Sequence, residues 1–284
     1  MYATSWFFPS FGVFRLRASR PASRRDSLLS HRREKKSARN WRRLPSVLVY
    51  VRQRESGRSW LWAAIIFLCV IGAAVILRRV VALWPVLVSG YRPPTASANP
   101  ALARFAGLDD IFARHAVLTL IHILPGLLFV TVGPLQFNAG LRARHPLWHR
   151  VSGRAFLCAA LTIGISALVM SFAMPAIGGP AQAAATGIFS AFFLFALGKG
   201  FWHVRKREFG LHRRWMIRAF SIGIAVATIR PIVGLFFATS RMTGLTPRQF
   251  FGLAFWLGFA LHLILTEWWL RNNAPKHEAG AMAS

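Results

Sequence analysis

The chain reads as an all-α polytopic membrane protein, a bundle of about six transmembrane helices with both termini cytoplasmic. Three observations point there. Of 284 residues, 55% are apolar. Six separate apolar runs, 60–77, 115–137, 153–173, 182–203, 215–238 and 249–270, are each 18 residues or longer. A hydrocarbon layer of about 30 Å takes about 20 helical residues to cross. The basic residues gather between and outside the runs, with an excess on alternate loops, as expected of segments held on one side of a membrane.

Ahead of the first run, residues 1–59 hold 15 of the 36 Lys and Arg residues, with Asp26, Glu34 and Glu55 as their only carboxylates. "SRRDSLLSHRREKKSARNWRR" has too little apolar surface to offset the entropy of ordering it, so a disordered basic tail is expected. Its Arg- and Ser-rich, acid-poor composition also fits an organelle transit peptide or a start codon assigned upstream of the true one. "WFFPSFGVF" precedes the first charge, so it is not the apolar core of a secretory signal. Residues 60–271 form the transmembrane domain, and 272–284 a short polar tail.

The net charge of +28 does not point to nucleic acid. Such binding needs basic residues clustered on one face; here they flank apolar runs. Membrane lipid is the expected partner. With the N-terminus inside, the cytoplasmic segments carry 25 Lys and Arg against 7 outside, or 10 against 7 without the tail. Arg78 and Arg79 fall in the outer segment 78–114, where they can snorkel to the headgroups. Cys69 and Cys158 both lie inside spans, make no metal-binding pair, and read as packing residues.

Small residues let membrane helices approach. The fifth span places Ala219, Gly223 and Ala227 on one stripe, and Arg230, eleven residues after Ala219, returns to within about 20° of it. An arginine there faces the bundle interior, as intramembrane charges do. The second span sets His122, Gly126, Gly133 and Gln136 on one face, with Pro125 and Pro134 breaking its hydrogen-bond ladder. The sixth aligns Ala254, Gly258 and His262.

Helical rise puts His122 about 10 Å, and Arg230 about 8–10 Å, below the same outer surface. His122, Gln136 and Arg230 are therefore the candidate binding residues, Arg230 attracting an anionic group and His122 relaying a proton. The structural alternatives are a packing histidine and an arginine bonded to carbonyls freed by Pro125 or Pro231. Arg218 and Glu267 share the opposite, cytoplasmic level and can form an ion pair; Glu267 also stands one helical turn before Arg271. His262 stands alone between these levels.

"HPLWHRVSGRAF" opens the third span and "LHRRWMIRAF" the fifth, both from the cytoplasmic side. With Arg142, their residues His149, Arg150, Arg154, His212, Arg213 and Arg218 make a cationic cluster suited to anionic lipid headgroups, haem propionates or an acidic substrate.

His122, "GPLQF" (133–137), Arg142, "HRVSGR" (149–154), "HRRWMIR" (212–218), Arg230 and Glu267, in that order, resemble the bacterial membrane proteins grouped as domain of unknown function (DUF) 2306. The resemblance spans about 60–271 and implies a multi-pass membrane protein without assigning an activity. Phe156 stands where a typical member carries Tyr.

No nucleophile–base arrangement, phosphate-binding loop, dinucleotide fingerprint or metalloprotease motif is present, so no catalytic residue is assigned. Carboxylates are nearly absent from the spans, which argues against a metal centre and a carboxylate-driven cation pump. Three readings follow. One is an intramembrane His/Arg site that binds or moves a small anionic or proton-coupled ligand. Another is an electron-transfer protein resembling the cytochrome b561 class, with haem b held by His149 and His212. The last is a structural assembly partner.

Overall fold

The computed structural model describes residues 45–91 and 109–273, the stretch 45–58 by its backbone alone. Of the expected basic tail, 1–44 lies outside the described residues, as do 92–108 of the first loop and 274–284. The described residues form helices and no strand. They are α1 (Pro45–Ser89), α2 (Ala116–Phe137), α3 (Ala139–Arg144), α4 (Pro146–Ala173), α5 (Gly179–Arg205), α6 (Phe209–Thr243) and α7 (Pro247–Asn272). The stretch 109–114 is also helical. The chain divides after Trp60 into two units, and the bundle belongs to the second, Leu61–Ser284.

Six helices are long and apolar enough to cross a membrane: Ser59–Ser89 of α1, and α2, α4, α5, α6 and α7 entire. Most run past the apolar windows read from the sequence, because a helix persists while its charged ends find partners or headgroups. The clearest difference is in α1, which is helical from Pro45, within the stretch expected as tail. It also carries Arg78 and Arg79, expected in a loop. Asp109 accounts for that, accepting from Arg78 Nη2 at 2.9 Å and pairing with Arg79 Nη1. Intramembrane arginines persist where a carboxylate meets them.

Local chemistry sets the turns. Gly244 closes α6 in the left-handed region, at φ 66°, where a glycine carries no Cβ penalty. Thr246 then caps α7, donating its backbone N–H to Gln249 Oε1 at 3.0 Å, and Pro247 supplies the first helical residue.

Packing is densest where small residues meet large ones. A Cβ on Gly258 of α7 would lie 2.5 Å from Ile229 Cγ1, and one on Gly223 of α6 2.5 Å from Phe129 Cζ. Phe129 stacks on Phe156 at 4.9 Å between ring centroids and contacts Phe193 and Phe220, tying α2, α4, α5 and α6 together. α1 turns Phe67, Val70 and Trp84 outward, the pattern of a peripheral helix facing lipid.

Successive spans alternate in direction, so the bundle has two ends. One holds Arg230 with Arg79 and Asp109; the other holds Arg218 with Glu267.

Candidate functional site

A partly open cavity of about 290 Å³ occupies the Arg230 half of the bundle. Every spanning helix contributes to its wall, and so does the stretch 109–114. Its polar lining includes Arg79, His122, Ser171, Gln182, Thr186 and Arg230; most of the remainder is aliphatic or aromatic.

His122 comes from α2, a turn above Gly126, where the missing side chain admits Ile76 of α1. Its Nδ1 lies 3.0 Å from Ser166 Oγ of α4. Ser166 donates its hydroxyl proton back to the Thr162 carbonyl at 2.6 Å. With that proton committed, Nδ1–H is the donor, and Nε2 carries the lone pair. The Ile163 backbone is a further hydrogen-bond partner of the ring. A polar α4 side chain thus orients His122 on the cavity wall.

Arg230 lies on α6 beside the helix-interior Pro231. Pro231 has no N–H, so the Ala227 carbonyl one turn earlier loses its ladder partner. The Arg230 guanidinium makes no hydrogen bond or ion pair among the described residues, and its Nε is buried without a partner. The bonding to proline-freed carbonyls that the sequence allows is thus not found there. The chain has only eight carboxylates, and Asp109 already receives both Arg78 and Arg79. A partly desolvated guanidinium without a partner is an unfavourable arrangement that a bound anion would relieve.

Arg79 lies 4.0 Å over the Phe112 ring, which places a second guanidinium on the wall at the Arg230 end. Outside the span, Tyr91 donates to Asp110 Oδ1 at 2.5 Å and Arg114 Nε to Oδ2 at 2.9 Å. These bonds hold the Asp110 carboxyl below the usual range, Tyr91 contributing most, and raise the Tyr91 phenol.

Gln136 does not join this cavity. It donates Nε2–H to Ser152 Oγ at 2.8 Å, and a Cβ on Gly153 would meet its Oε1 at 3.1 Å. It shares a helical face with His122 but stands about 21 Å further along the axis.

The residues of the cationic cluster sit at the Glu267 end. Arg218 forks onto Glu267, Nε to Oε1 at 2.5 Å and Nη2 to Oε2 at 2.9 Å, with its guanidinium 4.7 Å above the Trp215 ring. His212 donates Nδ1–H to the Gly200 carbonyl at 2.8 Å. His149 lies within electrostatic reach of His212 and Arg142, and its Nδ1 is buried without a partner. Arg150, Arg154 and Arg213 are exposed.

His262, read from the sequence as standing alone, has company. Its Nδ1 lies 3.2 Å from Ser221 Oγ and its Nε2 2.7 Å from Thr228 Oγ1; Thr266 donates to Ser221 at 2.7 Å. Sequence reasoning passed over Ser166, Ser221, Thr228 and Thr266 because each hydroxyl sits inside an apolar run. A polar residue four positions from another on one face, as with Thr162 and Ser166, is the signal that was there to read.

The family model for predicted membrane proteins named DUF2306 matches residues 119–270. The chain belongs to that family. The DUF2306 segment takes in His122, Ser166, Arg218, Arg230 and Glu267, and leaves α1 with Arg79 outside it. No curated protein and no solved structure matches the chain.

Proposed function

We propose that the protein binds a small anionic ligand in the Arg230 cavity and moves it within or across the membrane, with His122 taking or returning a proton. The observation that carries this reading is the Arg230 guanidinium, which lines the cavity and has no anion to meet it among the described residues. An anion in the cavity supplies the missing charge and receives a fork of donors. The His122 Nε2 lone pair serves a ligand that arrives protonated.

The positive-inside rule assigns both termini to the cytoplasm, so the Arg230 end faces outward in the bacterial inner membrane. The exposed Arg150, Arg154 and Arg213 then meet anionic headgroups of the inner leaflet. One observation favours a second reading, haem b ligated by His149 and His212: the unbonded Nδ1 of His149 beside His212. A Soret band in detergent-purified protein would establish it.

The test of the first reading is thermal stability in neutral detergent with acetate or phosphate. A ligand that binds the folded form raises the melting temperature with concentration. One of the two anions is expected to do so for the native chain and for Arg230→Lys, and not for Arg230→Gln. Equal responses from native and Arg230→Gln protein, or no response from the native chain, would overturn it, the latter in favour of an assembly role.

A further inference from the structure

We infer that the ligand of the Arg230 cavity is a single-chain anionic amphiphile, its head at Arg230 and its tail directed toward Phe129. This rests on the anion reading above and adds the chemistry of the rest of the ligand.

The cavity is polarised along the bundle axis. Arg79 and Arg230 share one end of it, with Phe112 and Gln182. Following α6 inward from Arg230 to Ile222, the last α6 residue on the wall, covers about 12 Å. Over the same descent α2 passes from His122 to Phe129, and α5 from Gln182 to Phe193. The deep end is closed by Phe129, 2% exposed, and Phe193, 3% exposed. A compact hydrated anion uses only the Arg230 end of such a space. An aliphatic chain attached to it fills the remainder and leaves apolar walls in apolar contact. The volume, about 290 Å³, is at the lower edge of small-molecule pockets of about 300–1,000 Å³, which suits one chain and not two.

The hydroxyls on the wall do not disturb that fit. Thr186 donates to the Gln182 carbonyl at 3.0 Å and Ser171 to the Leu168 carbonyl at 2.7 Å, within their own helices. The Gln182 side-chain oxygen accepts from Gly178 N–H at 2.7 Å. These two hydroxyl protons are thus committed within their helices, and Arg230 is left to recognise the head.

The experiment uses the full chain in nanodiscs of phosphatidylcholine, with retention on empty nanodiscs subtracted. Binding of acetate, butyrate, hexanoate, octanoate and decanoate is measured, with octanol as the uncharged control. Each buried methylene is expected to raise affinity roughly fourfold, until the tail fills the cavity and the gain stops. Arg230→Gln should weaken octanoate at least about tenfold and leave octanol unchanged. Ile163→Trp, which fills the wall on α4 toward Phe193, should remove octanoate binding and spare acetate. Acetate binding as tightly as octanoate, with both lost in Arg230→Gln, overturns the amphiphile and keeps the anion site. Octanoate affinity unchanged in Arg230→Gln overturns the anion site and the amphiphile together. A two-chain dioctanoyl phosphatidate competing as well as octanoate overturns the single-chain assignment. All three outcomes are read on the native chain and Arg230→Gln, so a misfolded Ile163→Trp protein does not blunt the test.

Discussion

Arg218 and Arg230 stand twelve residues apart on α6, about 18 Å along its axis, and their surroundings are opposite. Arg218 meets Glu267 through two nitrogens. Arg230 meets no carboxylate among the described residues and opens onto a cavity. A chain that holds one intramembrane arginine in a complete ion pair leaves the other without one, at the place where a ligand has room.

That asymmetry has a thermodynamic consequence. Replacing an unpaired buried charge by a neutral side chain of similar size relieves a desolvation cost. Arg230→Gln should therefore stabilise the ligand-free protein by about 1–3 kcal/mol while removing its response to anions, a trade common at functional sites. Denaturant unfolding in mixed micelles measures it. A structural arginine bonded to carbonyls would give the reverse, a loss of stability.

Arg218→Ala should behave in the opposite sense, because it strands Glu267 at a partly buried interface. A loss of about 1–3 kcal/mol is expected, larger than the loss that Arg218→Ala causes in a Glu267→Ala background. The double-mutant cycle on those three proteins gives the coupling. A coupling near zero would mean that lipid headgroups replace the partner at no cost.

The architecture was legible because lipid is an exacting solvent: only unbroken apolar helices satisfy their backbone inside it. His122 and Arg230 were brought together by two simple facts, helical rise and the small-residue stripe on which Arg230 falls. Gln136 was grouped with them by its shared face alone, although the same helical rise sets it about 21 Å along the axis from His122. The pairing of Asp109 with Arg78 and Arg79 joins residues on either side of 92–108, and no periodicity reports such contacts. The His262 network was hidden for a related reason: Ser221 and Thr228 read as tolerated hydroxyls until α7 is laid beside them.

Gly258 tests the packing of that same interface. A Cβ there would lie 2.5 Å from Ile229 Cγ1, whose residue is fully buried. Gly258→Ala should cost about 1–3 kcal/mol by overpacking. Gly234→Ala, on α6 with nothing within 4 Å of its Cβ, should change stability by less than about 1 kcal/mol. Equal melting temperatures for the two variants would mean that α6 and α7 pack less closely than described.

Beyond the spans, the Tyr91–Asp110–Arg114 clasp makes a pH prediction. Its carboxyl is held low by the Tyr91 hydrogen bond and then by Arg114. The clasp's contribution is therefore complete above the ordinary aspartate value of about 3.9 and disappears as pH falls through the lower folded value. Carboxyl-labelled NMR should show Asp110 titrating below about 3.9, and Tyr91→Phe should move it upward. An unchanged midpoint in Tyr91→Phe would remove the phenol from the clasp.

The most direct measurement is the reactivity of a single cysteine at position 230, made as Arg230→Cys with Cys69→Ala and Cys158→Ala. In liposomes this thiol should react with an anionic, water-soluble thiosulfonate. Labelling only by a lipid-dissolved maleimide, with no reaction from the aqueous side, would place position 230 against acyl chains and contradict the account.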